Sequence, residues 1–207
     1  MAVFVKICGI CSEGDLEQIS ALSPDALGFV FWGKSKRAVD PTLVERWKTN
    51  SSIRRVGVFV DPSPEELYTI VKTARLDVIQ LHKTTRNWDI DRLRLPAHVE
   101  IWKAMTLDEM KGSMDSFCFD RYLIDSFDPK TIGGTGMTCD WVRAREMVVE
   151  SKKSILLAGG LRPSNVGEAI KMVSPWGVDV SSGVELSSRA KDLEKVAAFI
   201  SATRAKE

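Results

Sequence analysis

The chain has 207 residues, enough for one domain with a sizeable core. Its 29 Lys and Arg nearly balance 28 Asp and Glu, and no basic block stands out, which excludes the electrostatics of a nucleic-acid binder or a polybasic membrane-surface protein. Hydrophobic residues make up 44% and charged residues 28%, as in a folded domain, and no apolar run reaches the ~20 residues of a spanning helix.

In chain order, short β-rich runs alternate with amphipathic helical segments. The N-terminus, MAVFVKICGI, lacks the basic and apolar regions of a secretory signal, so a cytoplasmic protein is expected. Strands are expected at Val3–Ile7, Ala26–Phe31, Arg55–Val60, Asp77–Leu81, Val99–Ala104, Tyr122–Asp125, Ser154–Ala158 and Gly177–Ser181. Ser12 or Glu13 opens the first helix, and the second is expected over Pro41–Asn50. Ser63-Pro64-Glu65-Glu66 has the form of an N-cap, a proline at the first helical position and acids in the first turn. Pro163-Ser164-Asn165 starts another helix, and Ala190–Arg204 is read as the last.

Several strand-to-strand spacings are about 23 residues, one short βα unit each, and runs such as Ile155–Ala158 suit parallel strands buried on both faces. No composition shift marks a boundary, so residues 1–207 read as a single catalytic domain. Eight such units imply an α/β fold, a (β/α)8 TIM barrel. An open doubly wound sheet would require G-x-G-x-x-G after the first strand, which is absent.

In such a barrel the reacting groups lie at the C-terminal strand ends and in the loops that follow. Alternation along the first strand puts Phe4, Lys6 and Cys8 on one face and the apolar Val3, Val5 and Ile7 on the other, which turns Lys6 and Cys8 inward. An inward lysine requires a carboxylate, and Asp179 on the strand that closes the barrel is its expected partner. Gln80 and His82 share a face at the end of strand four. Asp125 ends strand six, ahead of a loop carrying Gly134 and Gly136, and is a candidate general acid with a raised pKa. The turns Ala158-Gly159-Gly160-Leu161 and Ser181-Ser182-Gly183-Val184 follow strands seven and eight, where barrels hold phosphate on backbone N–H groups. The cationic loop Lys34-Ser35-Lys36-Arg37 offers a guanidinium suited to a carboxylate at the far end of the substrate. Trp47 and Trp102 read as packing residues, and Trp32 as a residue lining the mouth.

Cys8 and Cys11 form a C-x-x-C, which leaves open a disulfide, a redox pair or a reactive thiol at Cys8. The other two cysteines are Cys118 and Cys139; a zinc site on Cys8 and Cys11 would have only His82 and His98 to add, without a second C-x-x-C, so no metal is expected.

Read together, Lys6-Ile7-Cys8-Gly9-Ile10, Gly28-Phe29-Val30-Phe31, Lys34-Ser35-Lys36-Arg37, Gln80-Leu81-His82, Asp125-Ser126, Gly133-Gly134-Thr135-Gly136, Ala158-Gly159-Gly160-Leu161 and Val178–Glu185 resemble, in order, the phosphoribosylanthranilate isomerase family. The resemblance covers nearly the whole chain. It implies an Amadori rearrangement of N-(5-phosphoribosyl)anthranilate to 1-(2-carboxyphenylamino)-1-deoxyribulose 5-phosphate, a step of tryptophan biosynthesis that needs no cofactor. By its motifs Cys8 corresponds to the general base, Asp125 to the general acid and Arg37 to the group holding the anthranilate carboxylate. Gly159, Gly160, Ser182 and Gly183 correspond to the phosphate site, and Lys6, Gln80, His82 and Asp179 are expected to contact substrate. The expected partner is a phosphorylated small molecule with an aromatic carboxylate, with no nucleic acid or membrane, for a monomer or homodimer. Lys6 or a loop dipole is expected to lower the Cys8 pKa. The chain departs from the family pattern at Cys11, Lys83, Cys139 and Ser187–Asp192. A related phosphosugar aldose–ketose isomerase and a C-x-x-C thiol-redox protein are the alternative functions.

Overall fold

A computed structural model describes residues 2–82, 95–111, 119–125 and 140–205. Cys118, Cys139, Lys83, Trp88, Gly134 and Gly136 lie outside the described residues. Eight parallel strands close into a barrel in sequence order: β1 (Phe4–Cys8), β2 (Ala26–Val30), β3 (Arg54–Val60), β4 (Val78–His82), β5 (Glu100–Thr106), β6 (Arg121–Asp125), β7 (Ile155–Ala158) and β8 (Gly177–Val180). The barrel closes through β1 and β8, with Lys6 in register with Asp179. All eight expected strands are present, and the fold is a (β/α)8 barrel.

Alternation along each strand separates two cores. Outward residues such as Val5, Ile7, Phe29, Phe59, Ile79, Leu81, Ile124 and Leu157 pack with the helices in one cluster. Inward residues Ala26, Val56, Val78, Trp102, Ala104, Leu123, Leu156 and Ala158 fill the barrel, with Phe4 and Trp176 closing it at the N-terminal end of the strands. Phe4 stacks on Trp176 at 4.5 Å and meets Trp102 edge-on at 5.9 Å.

The helices are α1 (Glu13–Ala21), α2 (Pro41–Arg46), α3 (Pro64–Thr73), α4 (Leu107–Lys111), α5 (Trp141–Glu150), α6 (Val166–Val173) and α7 (Leu193–Arg204). Their starts follow the sequence chemistry. Ser12 accepts from the Asp15 N–H, and Ser63 and Glu66 form a reciprocal capping box. Helix α2 stops short of the expected Asn50, because Trp47 turns extended and Arg55 of β3 takes over the terminal carbonyls. Its guanidinium donates to the Val44, Trp47 and Ala74 oxygens, all buried.

The last helix also begins later than expected. Asp192 is its N-cap, accepting from the Lys195 N–H. Ala190–Lys191 is instead a short strand, β10, antiparallel to β9 (Glu185–Ser187). The correction has a physical cause: the Lys191 side chain is drawn into the protein by buried acceptors, which a helix on the surface would not allow. Among the described residues no helix is long and apolar enough to cross a membrane.

Candidate active site

The C-terminal ends of the strands open into a cavity of about 520 Å³. Inward residues from seven strands line it: Cys8 of β1, Val30 of β2, Val58 and Val60 of β3, Gln80 and His82 of β4, Leu123 and Asp125 of β6, Ala158 of β7, and Asp179 of β8. The loops add Trp32, Ser35 and Arg37 after β2, Gly159–Leu161 after β7, and Ser181–Gly183 after β8. A larger groove of about 910 Å³ runs between α6 and α7 on the outside of the barrel, away from every residue just named.

Most of the site residues expected from sequence therefore meet in one place. Lys6 is the exception, since it lies beneath the cavity rather than on its wall. It is fully buried and bonded to Asp179 at 2.8 Å. Burial alone would push its ammonium down, but Asp179 and the Cys8 sulfur outweigh burial and hold it above its ordinary value. This ion pair is the one required by an inward lysine.

Cys8 is buried at the end of β1, facing the cavity. Gly28, its neighbour in register on β2, leaves room for it: a Cβ there would lie 2.7 Å from the Cys8 sulfur. Burial pushes the Cys8 thiol up. Lys6 favours the thiolate, Asp179 opposes it and Lys191 favours it, yet the thiol stays above its ordinary value. The expected lowering by Lys6 is thus corrected, because desolvation in the barrel mouth outweighs the lysine's field. Cys11 is also a free thiol with its pKa raised by burial, and its sulfur hydrogen-bonds the Gly9 and Arg37 carbonyls. Two thiols above their ordinary range are the opposite of an activated redox pair.

Asp125 stands exposed at the last position of β6, three strands from Cys8. It lines the same cavity as Cys8, across the mouth. On β4 the Gln80 amide meets the His82 ring nitrogen at 2.7 Å. Gln80 is buried and its Oε1 has no hydrogen-bond partner among the described residues, so an acceptor on the cavity wall is open to a ligand.

Arg37 is held edge-on by Glu185, with Nε and Nη2 donating at 2.8 and 2.7 Å. Those bonds leave the Nη1 side of the guanidinium for a carboxylate in the cavity. Glu185 also accepts from Lys191 at 2.7 Å. Partial burial raises the Glu185 carboxyl, but the bonds from Arg37 and Lys191 outweigh it and hold the group below the usual carboxylate range.

The two glycine turns sit side by side on the cavity rim, after the neighbouring strands β7 and β8. Gly159 and Gly160 take φ values of 89° and 65°, and Asn165 ties the turn down by donating to the Gly160 oxygen. Gly183 approaches so closely that a Cβ would lie 1.9 Å from the Leu161 oxygen. That contact makes glycine obligatory there and packs two sets of backbone N–H groups side by side. Among the described residues no group of three His, Cys, Asp or Glu is placed to hold a metal ion.

Sequence reasoning missed Glu185 and Lys191 as parts of the site. Strands of three and two residues carry no readable period, and reading Ala190 onward as helix placed Lys191 on the surface.

A family model described as N-(5'phosphoribosyl)anthranilate (PRA) isomerase matches residues 5–202. The N-(5'-phosphoribosyl)anthranilate isomerase of Geotalea daltonii is 39% identical over 207 residues, covering 98% of this chain and 96% of that protein. Among solved structures, the phosphoribosyl anthranilate isomerase of Thermotoga maritima superposes with a TM-score of 0.86 at 33% identity, covering 98% of both chains. Another isomerase of this kind, in complex with reduced 1-(o-carboxyphenylamino)-1-deoxyribulose 5-phosphate, gives 0.84 at 31% identity and covers 98% of both chains.

Proposed function

The chain belongs to the phosphoribosylanthranilate isomerase family, and from that premise we propose that Cys8 and Asp125 carry the reaction while Arg37 and the two glycine turns hold the substrate. The enzyme is an aldose–ketose isomerase of tryptophan biosynthesis. Its substrate is a phosphosugar bearing an aromatic carboxylate, and residues 1–207 act as one catalytic domain.

The assignment is supported most directly by one cavity that carries Cys8, Asp125, Arg37 and both glycine turns on its wall. The phosphate sits on the N–H groups of Gly159, Gly160, Ser182 and Gly183. The anthranilate carboxylate meets the free edge of Arg37, and Trp32 supplies an apolar wall near that end. Between the two anchors the sugar spans the mouth. Gln80 accepts from a sugar hydroxyl, with His82 fixing the amide and Asp179 bordering the same space. Lys6 contributes from below, through Asp179 and Cys8.

Asp125 in its acid form protonates the furanose ring oxygen. The C1′–O bond breaks, and the nitrogen lone pair forms the protonated Schiff base. That cation acidifies the C2′ hydrogen, which the Cys8 thiolate removes. The electron pair moves into a C1′–C2′ double bond and neutralises the nitrogen. The resulting enaminol gains a proton at C1′ and loses one from O2′, leaving the ketose. Each proton transfer by a positioned group supplies about 10²–10⁴-fold. Because burial raises the Cys8 pKa, turnover rises with pH through the thiol's titration on the acid side of the profile.

The test follows the loss of anthranilate-type fluorescence from phosphoribosylanthranilate made in situ. Wild type is expected to turn over, and Cys8→Ser and Asp125→Asn each to lose about 10²-fold or more in kcat while remaining folded. Full activity in either variant would remove that residue from its role.

A further inference from the structure

Nothing in the chemistry above uses Lys191, yet it is one of the most fully buried charges in the described residues, with its side chain 1% exposed. It lies on β10 opposite Glu185 of β9. Its ammonium donates to the Cys8 carbonyl at 2.6 Å, the Ser181 carbonyl at 3.2 Å and Glu185 Oε1 at 2.7 Å. All three N–H bonds are met. A buried ion pair is poor value as a stabiliser, since a well-packed apolar pair commonly does as well. Its partners here are the backbone of the base, the turn beside the phosphate site and, through Glu185, the guanidinium of Arg37.

We propose that the Lys191–Glu185 pair is the positioning device of this active site: Lys191 fixes the backbone of Cys8 and adds positive charge beside it, while Glu185 aims Arg37 at the substrate carboxylate. The inference rests on Cys8 acting as the base. The charged groups around Cys8 are Lys6 from β1, Asp179 from β8, Lys191 from β10 and Arg37 from the loop after β2, with Glu185 from β9 behind the last two. His82 of β4 and Asp125 of β6 face it across the cavity. The first five comprise three cations and two carboxylates, so positive charge is in surplus beside the thiol. Neutralising Lys191 removes that surplus, and neutralising Glu185 enlarges it. The two changes therefore act on Cys8 with opposite sign, which a purely structural pair would not do.

The experiment measures two pH profiles for wild type, Lys191→Met and Glu185→Gln: kcat/KM for phosphoribosylanthranilate, and the rate of iodoacetamide alkylation at Cys8, read by peptide mass. In Lys191→Met the acid limb of both profiles is expected to move up by roughly half a pH unit or more. At pH 7, on that limb, kcat is expected to fall about threefold or more. In Glu185→Gln the alkylation limb moves down, and KM rises more than kcat falls because Arg37 loses its brace. Shifts in the same direction, or no shift in either variant, would overturn the proposal. If thermal melts show that Lys191→Met does not fold, the Glu185→Gln shift decides alone, and its absence overturns the proposal. A wild type that alkylates normally but does not turn over the substrate would sink the catalytic assignment instead, while the paired alkylation shifts would still uphold or overturn the field at Cys8.

Discussion

Each end of the barrel carries a carboxylate gripping two cations, and the two grips differ in what surrounds them. At the N-terminal end Glu100 meets Arg54 at 3.0 Å and Arg121 at 3.2 Å, and accepts from the Trp102 indole at 2.7 Å. The three charged side chains remain about a quarter exposed, with Glu100 at 27%. At the C-terminal end Glu185 meets Arg37 and Lys191 at 2.7 Å each, and is only 6% exposed. Below lies an aromatic plug of Phe4, Trp102 and Trp176, and above lies the thiol of Cys8. Solvent screens the lower cluster, so it is worth little and costs little. In the upper cluster Glu185 and Lys191 are desolvated while Arg37 keeps 27% of its side chain exposed, and what the cluster holds in return is the geometry of the mouth. One constellation thus serves as a rim contact at one end and as part of the site at the other.

Breaking the upper grip is expected to have the largest effect. Glu185→Ala leaves Lys191 buried without its carboxylate and should lower unfolding free energy by about 3–5 kcal/mol in urea titration. The folded fraction should show a raised KM. The aromatic plug gives the contrasting result. Trp102→Ala should cost about 3–5 kcal/mol of stability, while kcat/KM per folded molecule at low temperature stays at the wild-type value. A loss of kcat/KM in Trp102→Ala would erase the division between the two ends. A middle case is Gly28→Ala, whose Cβ would meet the Cys8 sulfur at 2.7 Å. Its stability should fall by about 1–3 kcal/mol through overpacking, and the displaced thiol should lower kcat more than KM changes.

The division between the ends was partly legible in the sequence. Period-two alternation along the first strand set Phe4, Lys6 and Cys8 on one face, and the structure spreads these three from the plug to the mouth. Lys6 demanded a carboxylate, and closure of an eight-unit barrel supplied Asp179. The glycine turns were legible because backbone approach and left-handed φ leave a compositional mark. Glu185 and Lys191 were not, since strands of three and two residues are too short to show a period and their pairing is irregular. The early end of α2 was hidden for a related reason. Its carbonyls are capped by Arg55, a residue on the following strand, and no local pattern announces a cap supplied by tertiary structure. Short-range chemistry was read correctly, as was the Lys6–Asp179 pair that barrel closure dictates; the buried contacts of Arg55 and Lys191, which no strand register announces, were not.

The smallest expected effect belongs to the lower grip. Partial burial would raise the Glu100 carboxyl, but Arg54, the Trp102 indole and Arg121 outweigh it and hold the group below its ordinary value of 4.5. A carboxylate with a depressed folded pKa contributes its stability above the unfolded pKa and loses it as pH falls through the folded one. The wild type should therefore lose this contribution progressively below about pH 4.5. Glu100→Gln keeps much of the shape and removes the charge. At pH 7 it should cost no more than about 1 kcal/mol, because the cluster is open to solvent. The gap between variant and wild type should close as pH drops to 3, with kcat/KM at pH 7 unaltered. Urea titrations across that range measure the gap directly. A gap of several kcal/mol at pH 7 would show that the lower cluster is as costly to break as the upper one, and exposure would then not be what separates the two ends.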